Sequence, residues 1–106
     1  MPETLISQLV EEDPSMKDLV EDFVAGLPDT IANLRSAAEA LNWEELRMLA
    51  HRLKGSGGSY GYPQISEVAA LMEQHFRKQT VDDFADCARQ LDELVAAARA
   101  GLSCEA

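Results

Sequence analysis

His51-Arg52-Leu53-Lys54-Gly55-Ser56-Gly57-Gly58-Ser59-Tyr60-Gly61 places a histidine, a lysine and several glycines where helical periodicity calls for a helix. At about 100° per residue, with His51 at zero, Lys54 falls near 300°, Gly55 near 40° and Gly58 near 340°. Leu46, Leu49, Leu53 and Tyr60 fall between roughly 160° and 220°, so the apolar stripe lies opposite His51. The histidine side is flanked by a cation and by residues without side chains. Each glycine inside a helix costs about 1 kcal/mol relative to alanine. Three of them in one helix need an offsetting gain, and the simplest is access: a bulky partner must come close to the His51 imidazole.

The stripe continues on both sides. Thr4 to Glu12 carries Leu5, Ile6, Leu9 and Val10, a short amphipathic helix. Asp13-Pro14 reads as an N-cap with a first-turn proline. The next helix carries Met16, Val20, Phe23, Leu27, Ile31, Leu34, Ala38 and Leu41 at steps of three and four, with a kink expected around Gly26 to Pro28. Asn42 with Glu45 three residues on resembles a capping box and opens the His51 helix, which should end at Gly61, a natural C′ residue. Pro63 opens a helix with Ile65, Val68, Ala69, Met72 and Phe76 inward. Thr80 is read as the N-cap of a last helix running from Val81 until Gly101 stops it. Strand signals are nearly absent. The reading is all-α: an antiparallel four-helix bundle with a short extra N-terminal helix, one domain over residues 1–106, able to close as a monomer.

Composition narrows the function. The net charge is −10, with no basic stripe, which argues against nucleic acid. Three of the nine basic residues, Arg47, Arg52 and Lys54, nevertheless cluster around His51 as a positive patch on a negative body. No apolar run approaches the roughly 18 residues of a membrane span, and the first residues lack a signal-peptide pattern. Cys87 and Cys104 have no CxxC neighbour. These features give a reduced, cytoplasmic setting as the expectation. His51, His75, Cys87 and Cys104 show no metal-ligand spacing, and no metal is expected. Gly57-x-Ser59-x-Gly61 matches a nucleophile elbow, but that motif needs a strand–turn–helix and this chain offers no sheet.

Neutral imidazole is a nucleophile near pH 7. A phosphoryl group attached to it carries charge that Lys54 could balance as a mobile point charge. Gly55 and Gly58 would let another protein dock flush against the helix, with Arg47 and Arg52 beside it. Tyr62, near 20° if the helix continued, would trim which partners fit. His51 precedes the Gly61 turn by ten residues and the returning helix reaches Glu73 ten residues after Pro63, so Glu73 should lie level with His51. A carboxylate there could accept a proton from Nδ1, orient the ring and leave Nε2 free.

His51-x-Leu53-Lys54-Gly55 with Gly61 resembles the signature of the histidine-containing phosphotransfer (HPt) domains of two-component phosphorelays. The likeness extends to Leu27-Pro28, Asn42-Trp43, Ala50 and Leu71-Met72-Glu73, and so covers essentially the whole chain. Tyr60 and Tyr62 depart from it, being bulkier than the small or aliphatic residues of the family. The resemblance implies that His51 accepts a phosphoryl group from an aspartyl phosphate on a response-regulator receiver domain and passes it to another. It also implies that the receiver supplies the Mg²⁺, that Lys54 helps hold the phosphoryl group, that Gly55 permits close approach, and that a polar residue belongs at Glu73. The chain would then be a phosphoryl carrier with no kinase activity and no cofactor of its own, fed by receivers and by a hybrid sensor histidine kinase. The cognate partners stay open, as does the choice between a free-standing chain and a piece of a larger kinase. The rival readings are a non-catalytic helical adaptor and a small hydrolase built on His51 and Ser59.

Overall fold

Helix-ending chemistry cuts the chain into rods. The structure, a computed structural model, describes residues 4–103. They form α1 (Gln8–Glu12), α2 (Lys17–Glu39), α3 (Trp43–Ser59), α4 (Pro63–Arg77) and α5 (Phe84–Ser103), with a 3-10 turn at Pro14–Met16. No strand occurs among the described residues. Cys104 and Met1 to Glu3 lie outside them.

Three helices end in the same way. After α2, Asn42 N–H donates to the Ala37 carbonyl and Leu41 N–H to that of Ala38. After α3, Tyr62 bonds Gly57 and Gly61 bonds Gly58; after α4, Thr80 bonds His75 and Gln79 bonds Phe76. Each is a Schellman closure, which puts one residue in the left-handed region. Those residues are Leu41 (φ 52°), Gly61 (φ 86°) and Gln79 (φ 56°). Only Gly61 is marked in sequence as a turn residue. Because α2 ends at Glu39, Leu41 leaves the apolar stripe and stands 54% exposed, contrary to expectation. Replacing it by glycine removes left-handed strain worth about 1 kcal/mol, offset in part by the entropy of a glycine in the unfolded chain. Leu41→Gly is expected to raise stability by about 0.5 kcal/mol, or roughly 2–4 °C in a thermal melt.

Short connections make successive long helices antiparallel. α3 packs on α2 and α4, and α5 closes the ring against the same two helices. The axis of the bundle is filled by Leu34, Leu46, Ile65, Met72, Phe76 and Leu91, each at most 1% exposed. α2 passes through Pro28 as one unbroken helix, with Val24, Leu27 and Ile31 buried on either side of it. Asn42 caps α3 as expected, its side chain accepting from Glu45 N–H at 3.2 Å.

Other boundaries also differ from the sequence reading. Pro14–Met16 form a separate 3-10 turn, so α2 opens at Lys17 and not at Pro14. The first helix starts at Gln8, not Thr4, because the preceding residues are spent on tertiary bonds. Leu5 N–H donates to Ala97 at 2.9 Å, and the Ser7 hydroxyl donates to the Tyr60 carbonyl at 2.6 Å while accepting from Val10 N–H. α5 starts at Phe84, not Val81, because Thr80 uses its hydroxyl on Asp82 N–H, closing a local turn ahead of the helix. Gly101 does not stop α5, which runs on to Ser103. Gly101 is buried, and a Cβ there would run into the Leu5 carbonyl. It is the contact point for the N-terminal segment.

Candidate phosphoacceptor site

α3 buries Leu46, Ala50, Leu53 and Gly57. That stripe turns His51 outward at mid-helix, with its side chain 68% exposed. The ring is positioned from the neighbouring helix. Gly57 lacks a side chain where α3 meets α4: a Cβ there would stand 2.9 Å from Ser66 N and 3.2 Å from Ile65 Cγ2. The Ser66 hydroxyl donates to the Lys54 carbonyl at 2.8 Å, fastening the two helices between the Gly61 turn and the site. The helical count around the Gly61 turn then brings Glu73 alongside His51, as the sequence predicts.

Glu73 is a charged residue in a buried position, its side chain only 7% exposed. A buried carboxylate must be hydrogen-bonded or charge-paired, and this one is both. Oε2 lies 3.1 Å from His51 Nδ1 and 3.1 Å from an Arg77 guanidinium nitrogen; Oε1 lies 3.4 Å from Lys54 Nζ. Burial pushes the Glu73 carboxyl up. The hydrogen bonds from His51 and Lys54, with the charges of Lys54 and Arg77, outweigh it and hold the group below its ordinary value. An ionised carboxylate can only accept. The neutral His51 ring therefore carries its proton on Nδ1, which leaves the lone pair on Nε2 of a ring that is 68% exposed.

The same arrangement sets a pH dependence. A carboxyl held low in the folded state adds stability that is present above its ordinary value, here 4.5, and is lost as pH falls through the lower folded-state value. Urea midpoints measured at pH 6 and pH 3 should fall more for the parent chain than for Glu73→Gln, which has no such proton to take up.

The glycines around His51 divide by role. A Cβ on Gly55 meets nothing within 4 Å, and one on Gly58 meets only the Ser66 hydroxyl at 3.8 Å. Both are exposed, and the fold does not require either to be glycine. Gly57, between them, is a packing glycine. Arg52 is exposed and lines a groove between α2 and α3 with Asp22, Gly26, Leu49 and Ser56, while Arg47 is half-buried.

Tyr62 corrects the sequence reading. Its projection onto the His51 face assumed a continuing helix, but Gly61 reverses the chain. Tyr62 is fully buried, its ring 6.3 Å from that of Phe23. Tyr60 stacks on the same Phe23 at 4.5 Å. Tyr62 is therefore a core residue and not part of an access surface. Arg77 is the residue the sequence reading missed. The available signal was its position four residues after Glu73 on one helix, the spacing of an ion pair. His75 is half-buried at the end of α4, its Nε2 3.8 Å from Asp83. Burial and the neighbouring Asp83 and Asp86 push the Cys87 thiol up, as expected of an inert packing cysteine.

Among the described residues, no group of three or more His, Cys, Asp or Glu side chains could hold a metal ion, and no helix is long and apolar enough to cross a membrane. Comparison with curated proteins and with solved structures gives no match. A family model of the Hpt domain matches residues 18–101. That span runs from the start of α2 almost to the end of α5 and takes in every helix that builds the site. By this match the chain belongs to the Hpt domain family, whose members are histidine phosphocarriers of two-component systems.

Proposed function

We propose that this chain relays a phosphoryl group between receiver-domain aspartates, with His51 Nε2 as the acceptor atom. The observation that carries the reading is the pairing of an exposed ring with a buried, ionised Glu73 on its Nδ1. Such a pair presents a nucleophilic nitrogen to solvent in a fixed tautomer.

In the transfer, the Nε2 lone pair attacks the phosphorus of an aspartyl phosphate. The N–P bond forms as the P–O bond to the aspartate breaks, and the electron pair leaves with the receiver's carboxylate. The imidazole gains positive character as it reacts, and Glu73 at Nδ1 offsets it, much as a buried carboxylate supports histidine in other nucleophilic sites. Lys54, 45% exposed and held on the far oxygen of Glu73, is near enough to balance charge on the phosphoryl group. Mg²⁺ and the rest of the phosphoryl-transfer apparatus belong to the receiver. The reverse step, onto a second receiver, uses the same atoms. The docking face is α3 around Gly55 and Gly58, flanked by Arg52 and Arg47. It is met by a modest, short-lived interface that one bundle offers as a monomer. A hybrid sensor kinase is the upstream source, and the cytoplasm is the compartment in which receivers are met.

The test is incubation with a receiver domain carrying a radiolabelled aspartyl phosphate and Mg²⁺. Label should move to this chain in an acid-labile, alkali-stable form, the behaviour of a phosphorus–nitrogen bond. A complex that forms without transfer of label would make the chain an adaptor instead.

A further inference from the structure

We propose that Arg77 is a positioning residue for the acceptor histidine: it holds Glu73 in the rotamer that serves Nδ1 and limits the negative charge that the ring feels. The inference rests on the reading of His51 as the acceptor. The observation behind it is one shared atom. Oε2 of Glu73 takes both His51 Nδ1 and the Arg77 guanidinium, each at 3.1 Å, while Lys54 takes the other oxygen.

An exposed i,i+4 ion pair on a helix contributes little. This one differs because its acid is buried. Glu73 is only 7% exposed, and three donors divide its two oxygens. A glutamate has three side-chain torsions, and the His51 contact alone would leave the carboxylate free to rock. A guanidinium is planar and fixed in hydrogen-bond direction. Arg77 therefore restrains Oε2 from the α4 side while the ring approaches from α3.

The second effect is electrostatic. A carboxylate next to imidazole favours the imidazolium, which has no lone pair with which to attack phosphorus. Arg77 and Lys54 together oppose that pull. The charged groups near the ring are Lys54, Arg47 one turn earlier and Arg52 next in the chain on α3, and Glu73 and Arg77 from α4. From α2, Asp22 lines the groove it shares with Arg52, the residue next to His51. Of these, only Glu73 bonds the ring, and only Arg77 bonds the same Glu73 oxygen. Removing Arg77 leaves Lys54 as the remaining cation on the acid, and the carboxylate pulls harder on the ring.

The experiment uses phosphoramidate, a small phosphoryl donor that needs no receiver, and follows phosphorylation of His51 against pH in the parent chain, Arg77→Gln and Arg77→Lys. Arg77→Gln should be about three- to tenfold slower at pH 7, with the acid limb of its profile displaced upward. Arg77→Lys, which keeps the charge and loses the fork, should return the limb toward its parent position. NMR of the His51 ring against pH gives a readout independent of phosphorylation: its signals should change at higher pH in Arg77→Gln. Superimposed NMR curves for parent and Arg77→Gln overturn the proposal whatever the transfer assay gives. So does a uniform loss of rate with no displacement, which marks a merely structural role. If the NMR displacement appears but the parent chain takes no phosphoryl group from a receiver, the relay reading falls and the tuning by Arg77 stands.

Discussion

His51→Gln is expected to abolish uptake of label from a phosphorylated receiver, lowering it by at least about a thousandfold, with no loss of fold. The size of the effect follows from there being one acceptor atom. Glutamine offers an amide, whose nitrogen lone pair is delocalised and does not attack phosphorus. The amide N–H₂ can still donate to Glu73, so the buried carboxylate keeps a partner and the α3–α4 contact survives. His51 is exposed, and exposed substitutions away from caps and cores move stability by about 0.5 kcal/mol or less. The other histidine is no substitute. The His75 side chain is only 21% exposed and faces Asp83. Thermal melts of the two chains should overlie one another while the label differs completely. Residual labelling of the variant at more than a few per cent of the parent rate would place the acceptor elsewhere.

The site was legible in sequence wherever it depends on helical counting. His51 faces outward because the apolar stripe of α3 lies on the other side, and a stripe is a sequence property. Glu73 meets His51 because two helices of regular pitch leave a turn that Gly61 marks by its composition. Legibility failed where the determinant was a contact between distant segments. Gly57 and Gly101 look like any helical glycine until the chain folds; one then admits α4 and the other the Leu5 backbone. Leu41 and Gln79 adopt left-handed backbone without being glycine or asparagine, held there by two hydrogen bonds each from the closure of the preceding helix. Tyr62 was misplaced because a helical wheel was carried one residue past a chain reversal. Arg77 went unremarked because an i,i+4 pair is ordinary on a surface helix. What makes this one consequential, the burial of Glu73, is a tertiary fact.

Gly55 and Gly57 are two residues apart, and opposite outcomes are expected for them. Gly55→Gln should stabilise the bundle by about 0.5–1 kcal/mol, because glutamine is a better helix former and the site is open. The same change should slow transfer from a receiver by about a hundredfold, equivalent to nearly 3 kcal/mol, since the new side chain stands where a docking protein must come flush with α3. Phosphorylation by phosphoramidate, which needs no docking surface, should stay within about twofold of the parent. Gly57→Val should do the reverse. Its Cβ alone would sit 2.9 Å from the backbone nitrogen of Ser66, and backbone on a packed helix does not yield cheaply. Forcing α3 and α4 apart costs about 2–4 kcal/mol, loosens the Ser66–Lys54 bond and carries Glu73 away from His51. With this variant both donors should fail together, in step with the loss of stability. A Gly55→Gln chain that accepts label from a receiver at the parent rate would remove this face of α3 from the docking surface. Both phosphoryl donors acting normally on a fully folded Gly57→Val chain would mean that the close approach of the two helices is not what positions the acid.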